Sequence, residues 1–130
     1  MLLPPLYITV DDAEILNFFT TISDTINLPI MIYNGATPNF LSIERVNRLL
    51  EVSNIVAVKD SSRDMTQMND LIRFCGNKIS VFVGEEDLLL PSISIGAVGS
   101  VAMVPQIVGE MAINLYQTAA DGALPVYKQR

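Results

Sequence analysis

The 130-residue chain has no histidine and a single cysteine, Cys75. Without histidine there is no Ser-His or Cys-His nucleophilic pair. With only one thiol there is no disulfide framework, and no zinc site of the Cys/His kind. Proton transfer is left to Lys, Tyr, Asp or Glu. Cys75 closes LIRFCG at an expected helix end, where it reads as a small buried apolar residue of a cytoplasmic protein. Basic residues are scarce as well. Eight stand against fourteen acidic ones, for a net charge of -6, and they are scattered instead of forming a stripe, so the footprint of a nucleic-acid binder is missing.

What is abundant is apolar surface. Half of the residues are hydrophobic and the mean hydropathy is +0.39, the composition of one domain that buries a large core. The opening MLLPPLYITVDD has neither the basic start nor the small-residue cleavage site of a signal peptide, so no leader is expected. Between Asp87 and Glu110 lie 22 uncharged residues, long enough to test as a membrane span. Pro91, Gly96, Gly99 and Pro105 break that run, and no membrane insertion is expected.

Period and punctuation alternate along the chain. MLLPP reads as a strand stopped by prolines, and DDAEILNFFTTISDTI as a helix with acidic residues in its first turn. LPIMIYN, NIVAVKD, ISVFVGE and GSVAMV read as further strands. Between and after them, helices are expected over SIERVNRLLEV with Ser42 as cap, over DMTQMNDLIRFCG with Asp64 as cap and Gly76 as stop, over EDLLLPSISIG, and from Pro105 through PQIVGEMAINLYQTAADG. Strands that are apolar throughout, each followed by a helix, indicate parallel βα units covered on both faces. The chain is read as one α/β domain over residues 1–130, with at most about half of the residues a closed (β/α)8 barrel requires. An open doubly wound sheet is the competing architecture.

In such folds chemistry gathers at the C-terminal strand ends. There the sequence places Tyr7, Tyr33 with Asn34, Lys59 with Asp60, and Gly84 with Glu85. Of the three lysines, Lys78 in GNK and Lys128 in YKQR read as solvated surface. Lys59 ends an apolar strand, with the parity of Ile55 and Ala57, and should project on their face. An apolar enclosure disfavours an ammonium ion and supplies neutral amine, which attacks carbonyl carbon to form a Schiff base. Tyr33 on the neighbouring strand would relay protons. A second reading stays open at this level: Lys59 pairs with Asp60 or extends to the rim.

The blocks PPLY, LPIMIYN, LSIERVNRLLE, NIVAVKDSS and VFVGEEDLLLPSISIGAVGSVAMVP, in this order and spacing, resemble the dihydrodipicolinate synthase and N-acetylneuraminate lyase family. These are pyruvate-dependent class I aldolases built on a (β/α)8 barrel. The resemblance covers nearly the whole chain and implies that it corresponds to about strands four to eight, a partial barrel. It also implies that Lys59 forms the Schiff base with a 2-oxo acid and that Tyr33 shuttles protons. Tyr7 is similar to a tyrosine that reaches into a partner's site, and Gly84 to the pocket lining. No metal or organic cofactor is implied.

Departures accompany the likeness. The glycine-threonine-threonine stretch that holds the pyruvate carboxylate on strand two is absent. GATPNF after Tyr33 is shortened and carries no carboxylate-binding arginine, and the loop after GSVAM is trimmed. KDSS looks more like the branch that cleaves or dehydrates 2-oxo-3-deoxy sugar acids. Three expectations follow. The chain is a Schiff-base aldolase or dehydratase for small 2-oxo acids; or it is an inactive half barrel of the same family; or it is part of a longer polypeptide. Unpaired strand edges and an open apolar face predict a homo-oligomer in the first two cases.

Overall fold

A computed structural model of the chain describes residues 1–35 and 37–122. In chain order the elements are α1 (Asp12–Thr25), β1 (Ile30–Asn34), α2 (Ile43–Leu49), β2 (Ile55–Asp60), α3 (Met65–Cys75), β3 (Ser80–Val83), α4 (Leu89–Ser94), β4 (Gly99–Ser100) and α5 (Gly109–Ala120). Local chemistry begins the helices. The Asp11 carboxylate accepts the Glu14 N–H at 2.8 Å while Glu14 accepts the Asp11 N–H at 2.9 Å, a reciprocal capping box ahead of α1. Ser42 caps α2 through the Arg45 N–H, and Asp64 caps α3 through the Thr66 N–H.

The strands form one parallel sheet in the order β1-β2-β3-β4. In register, Ile32, Val58 and Val81 share one face, and they belong to a single buried cluster with Phe19 of α1, Leu49 of α2, Leu71 of α3 and Leu89 of α4. Sequential order with the helix contacts on one face is the arrangement of a barrel wall. A doubly wound sheet reverses its strand order and takes helices on both faces, so that alternative is excluded.

Three expectations change in detail. MLLPP makes only an isolated bridge, in which the Leu2 N–H donates to Met31 O and the Tyr33 N–H to Leu2 O, each at 2.8 Å. Pro4 and Pro5 have no N–H with which to extend that ladder. GSVAMV ends as a ladder soon after Ser100, because the N–H groups of Met103 and Val104 both donate to Glu86 Oε1 at 2.7 Å and turn the chain into a 3-10 segment, Val104–Gln106. The last helix therefore starts at Gly109 and not at Pro105. Finally, the strands are not covered on both faces. Met31, Tyr33, Lys59 and Phe82, on the face away from the helices, are only partly buried.

The uncharged run from Leu88 to Gly109 is divided among α4, β4 and the 3-10 turn, and among the described residues no helix is long and apolar enough to cross a membrane. Lys128 lies outside the described residues, while Lys78 is exposed and Cys75 fully buried as expected.

Candidate functional site

A bulge decides which way Lys59 points. β1 and β2 pair Ile30 with Ile55 but Met31 with Ala57, so Val56 is an extra residue and the alternation of β2 slips there. Ile55 joins the helix-side core with Ile30 and Val58, whereas Ala57 and Lys59 share the open face with Met31 and Tyr33. The expected parity with Ala57 holds and that with Ile55 does not.

On this open face, Tyr33 and Lys59 are register partners, and the Lys59 Nζ lies 4.1 Å from the centroid of the Tyr33 ring. The amine thus rests on the ring face. Gly84 packs from the other side. A Cβ built there would lie 1.8 Å from Ser61 Oγ, 2.6 Å from Lys59 Cε and 3.1 Å from Asp60 O. Only a glycine fits, and the serine hydroxyl and the lysine stem flank the same point. Ser61 Oγ is buried and has no hydrogen-bond partner among the described residues, an orphan donor beside an amine.

Lys59 does not pair with Asp60, whose carboxylate faces the helices. It accepts the Asn34 Nδ2–H at 2.7 Å, the Ser62 N–H at 3.1 Å and the Ser62 hydroxyl at 2.5 Å. Asn34 Oδ1 in turn accepts the Leu41 N–H at 2.8 Å. This network ties the tips of β1 and β2 together directly behind Tyr33 and Lys59. Burial pushes the Asp60 carboxyl above its usual range, against the opposing pull of its Ser62 and Asn34 donors. A raised folded-state value means that Asp60 contributes most stability at low pH and loses it as pH rises through that value. The stability of the wild type relative to Asp60→Asn should therefore increase as pH is lowered, levelling off below about 3.8. Thermal melts of both proteins across the acid range measure this, and a pH-independent difference would refute it.

Two further loops reach the rim. The Glu86 carboxyl is held below its ordinary range, chiefly by the Val104 N–H, with the Lys59 charge a minor contributor. Arg63, in the loop after β2, pairs with Glu85 and Asp87 in the loop after β3. Tyr7 is not brought to this site. It is 97% exposed at a bend whose neighbouring backbone is held by buried Asn39, which donates to Pro5 O and Ile8 O and accepts the Val10 N–H.

The structure brings Lys59, Tyr33 and Gly84 together, and beside them lie Ser61 and Gly35, which the sequence reading did not single out. The serine carried a signal, since i and i+2 on a strand share a face with the lysine. Gly35 had none: its absent Cβ would sit 3.1 Å from the Tyr33 ring, a contact made by the turn.

Comparison with known proteins places this geometry. The family model described as Dihydrodipicolinate synthetase family matches residues 1–128. The 4-hydroxy-tetrahydrodipicolinate synthase of Oceanobacillus iheyensis is 33% identical over 124 residues, 94% of this chain and 42% of that protein. The enzyme of the same name from Clostridium perfringens is 29% identical over 117 residues, 88% of this chain and 40% of that protein. The crystal structure of dihydrodipicolinate synthase from Aquifex aeolicus superposes with a TM-score of 0.87 at 26% identity, covering 93% of this chain and 42% of that one. The chain thus spans about two-fifths of these relatives and forms part of their barrel wall. A family match along almost its entire length, joined to the same sequential parallel sheet, makes the chain a member of the dihydrodipicolinate synthetase family.

Proposed function

We propose that the chain carries the imine-forming part of a lyase or aldolase acting on 2-oxo acids, such as pyruvate, 2-oxo-3-deoxy sugar acids or dihydrodipicolinate-type substrates. The observation that carries this reading is the setting of Lys59. Its amine lies on the open sheet face over Tyr33, with its stem against Gly84 and beside it a Ser61 hydroxyl that has no hydrogen-bond partner among the described residues.

The chemistry follows from these groups. Neutral Lys59 Nζ adds to the carbonyl carbon at position 2. The carbonyl oxygen takes one proton from the attacking nitrogen and a second from solvent and leaves as water, forming a protonated imine. That cation accepts the electron pair released when the bond between carbons 3 and 4 breaks, or when a proton is removed from carbon 3, giving an enamine. The Tyr33 hydroxyl moves the proton to or from the substrate oxygen. This sequence uses no metal or organic cofactor. Tyr7, with its exposed ring, is available to a second copy in a homo-oligomer.

Borohydride reduction in the presence of pyruvate, followed by intact mass and peptide mapping, tests the reading. An adduct confined to Lys59, with Lys78 and Lys128 untouched, supports it. No adduct in folded protein favours the inactive half barrel. Tyr33→Phe keeps the ring under the amine and removes only the hydroxyl, so imine trapping should persist while turnover falls about 10²-fold. Equal loss of both would contradict the proton-relay role.

A further inference from the structure

Arg63 is the one non-glycine residue among the described residues with a left-handed backbone, φ 61°. L side chains avoid this conformation, which persists where surrounding contacts compensate for it. The immediate neighbours do not require an arginine there. Ser62 is engaged with the Asp60 carboxylate and accepts the Asp64 N–H, and Asp64 caps α3. What the conformation achieves is direction. It sends the guanidinium across the strand ends, where Nη1 pairs with Glu85 and Nη2 with Asp87.

Glu85 directly follows Gly84, and the Gly84 N–H donates to Asp60 O at 2.7 Å. The end of β2 that carries Lys59, with the loop after it, is therefore joined to the Gly84 loop twice, by that backbone bond and by the arginine fork. A glycine at position 63 would relieve the backbone but make no bridge. A lysine is a single point charge and could not reproduce a fork that engages two carboxylates in different directions.

We propose that Arg63 is a positioning residue: paired with Glu85 and Asp87, it holds the Gly84 loop against the Lys59 stem and sets the direction from which the amine meets a 2-oxo acid. The inference rests on the Schiff-base reading above. Contact at Gly84 leaves no slack, so a small opening of the loop releases the lysine stem, and misplacement of a reacting group by about 1 Å is enough to slow a reaction substantially.

The test uses the purified protein, Arg63→Gly, Arg63→Lys and the double variant Glu85→Gln/Asp87→Asn. Two readouts are taken: hydrogen exchange of amides 84–88, and the rate of imine formation at saturating pyruvate, trapped with borohydride. Arg63→Gly should keep its melting temperature, because relieved strain offsets the loss of exposed ion pairs. It should speed exchange in 84–88 and slow imine formation, each about tenfold. The double variant should match it, and Arg63→Lys should recover part of the rate. High salt should slow the wild type and leave Arg63→Gly unchanged. Unchanged exchange overturns the clamp, and fast exchange with wild-type imine formation overturns the positioning role. A wild type that forms no imine, while exchange still responds to the variants, overturns the Schiff-base reading and leaves the loop clamp standing.

Discussion

Lys59→Ala will eliminate the pyruvate adduct and reduce turnover on the order of 10³-fold or more, because among the described residues no other amine lies on the open sheet face. Lys78 is exposed in the turn before β3, far from the strand ends in the order of the fold. The protein should survive the change. Lys59 is only partly buried, and its described contact with the Tyr33 ring is a cation–π interaction worth roughly 0.5–1 kcal/mol at such a site. Lys59→Arg separates charge from chemistry. A guanidinium stacks on the ring and keeps the positive charge, yet stays protonated and forms no imine. Both variants should melt near the wild type and trap nothing. An adduct of normal yield in Lys59→Ala would refute the assignment outright.

Gly84→Ala is the second large effect, and it acts on both stability and chemistry. The added methyl meets Ser61 Oγ at 1.8 Å, the Lys59 stem at 2.6 Å and the backbone oxygen of Asp60 at 3.1 Å. The lysine can swing away cheaply, and the backbone oxygen cannot. Overpacking of this kind costs about 1–3 kcal/mol, while a displaced amine should slow imine formation about 10²-fold. Adding Ser61→Gly removes the tightest contact. The double variant should recover most of the melting temperature but little of the rate, since the lysine contact remains. Full recovery of both would mean that Gly84 serves only to accommodate the serine.

Much of this arrangement is written locally. Ser42 and Asp64 cap the helices they were expected to cap, and Asp11, read only as part of an acidic start, caps α1, since a cap needs only its own first turn. The apolar runs over 30–34, 55–60 and 80–83 become strands with Lys59 and Tyr33 at the C-terminal ends of theirs. Where expectation and structure differ, the cause was local in one case and distant in the other. The Leu2 run lost its strand to two prolines and kept a single bridge to Ile32. The last strand was cut short by the carboxylate of Glu86, which captured two N–H groups seventeen and eighteen residues away.

By itself the sequence determined the alternation of parallel βα units, the exclusion of histidine-based nucleophilic pairs and of a disulfide framework, and the lysine at a strand tip beside a tyrosine. These depend on composition, period and neighbouring residues. Only the tertiary structure decided that the helices cover one face, that a bulge at Val56 turns Ile55 to the core while Lys59 stays on the open face, that Gly84 and Ser61 meet beside the lysine stem, and that Arg63 bridges to Glu85 and Asp87. Register, bulges and contacts between loops are set by pairing across the sheet, and that energy belongs to two segments at once.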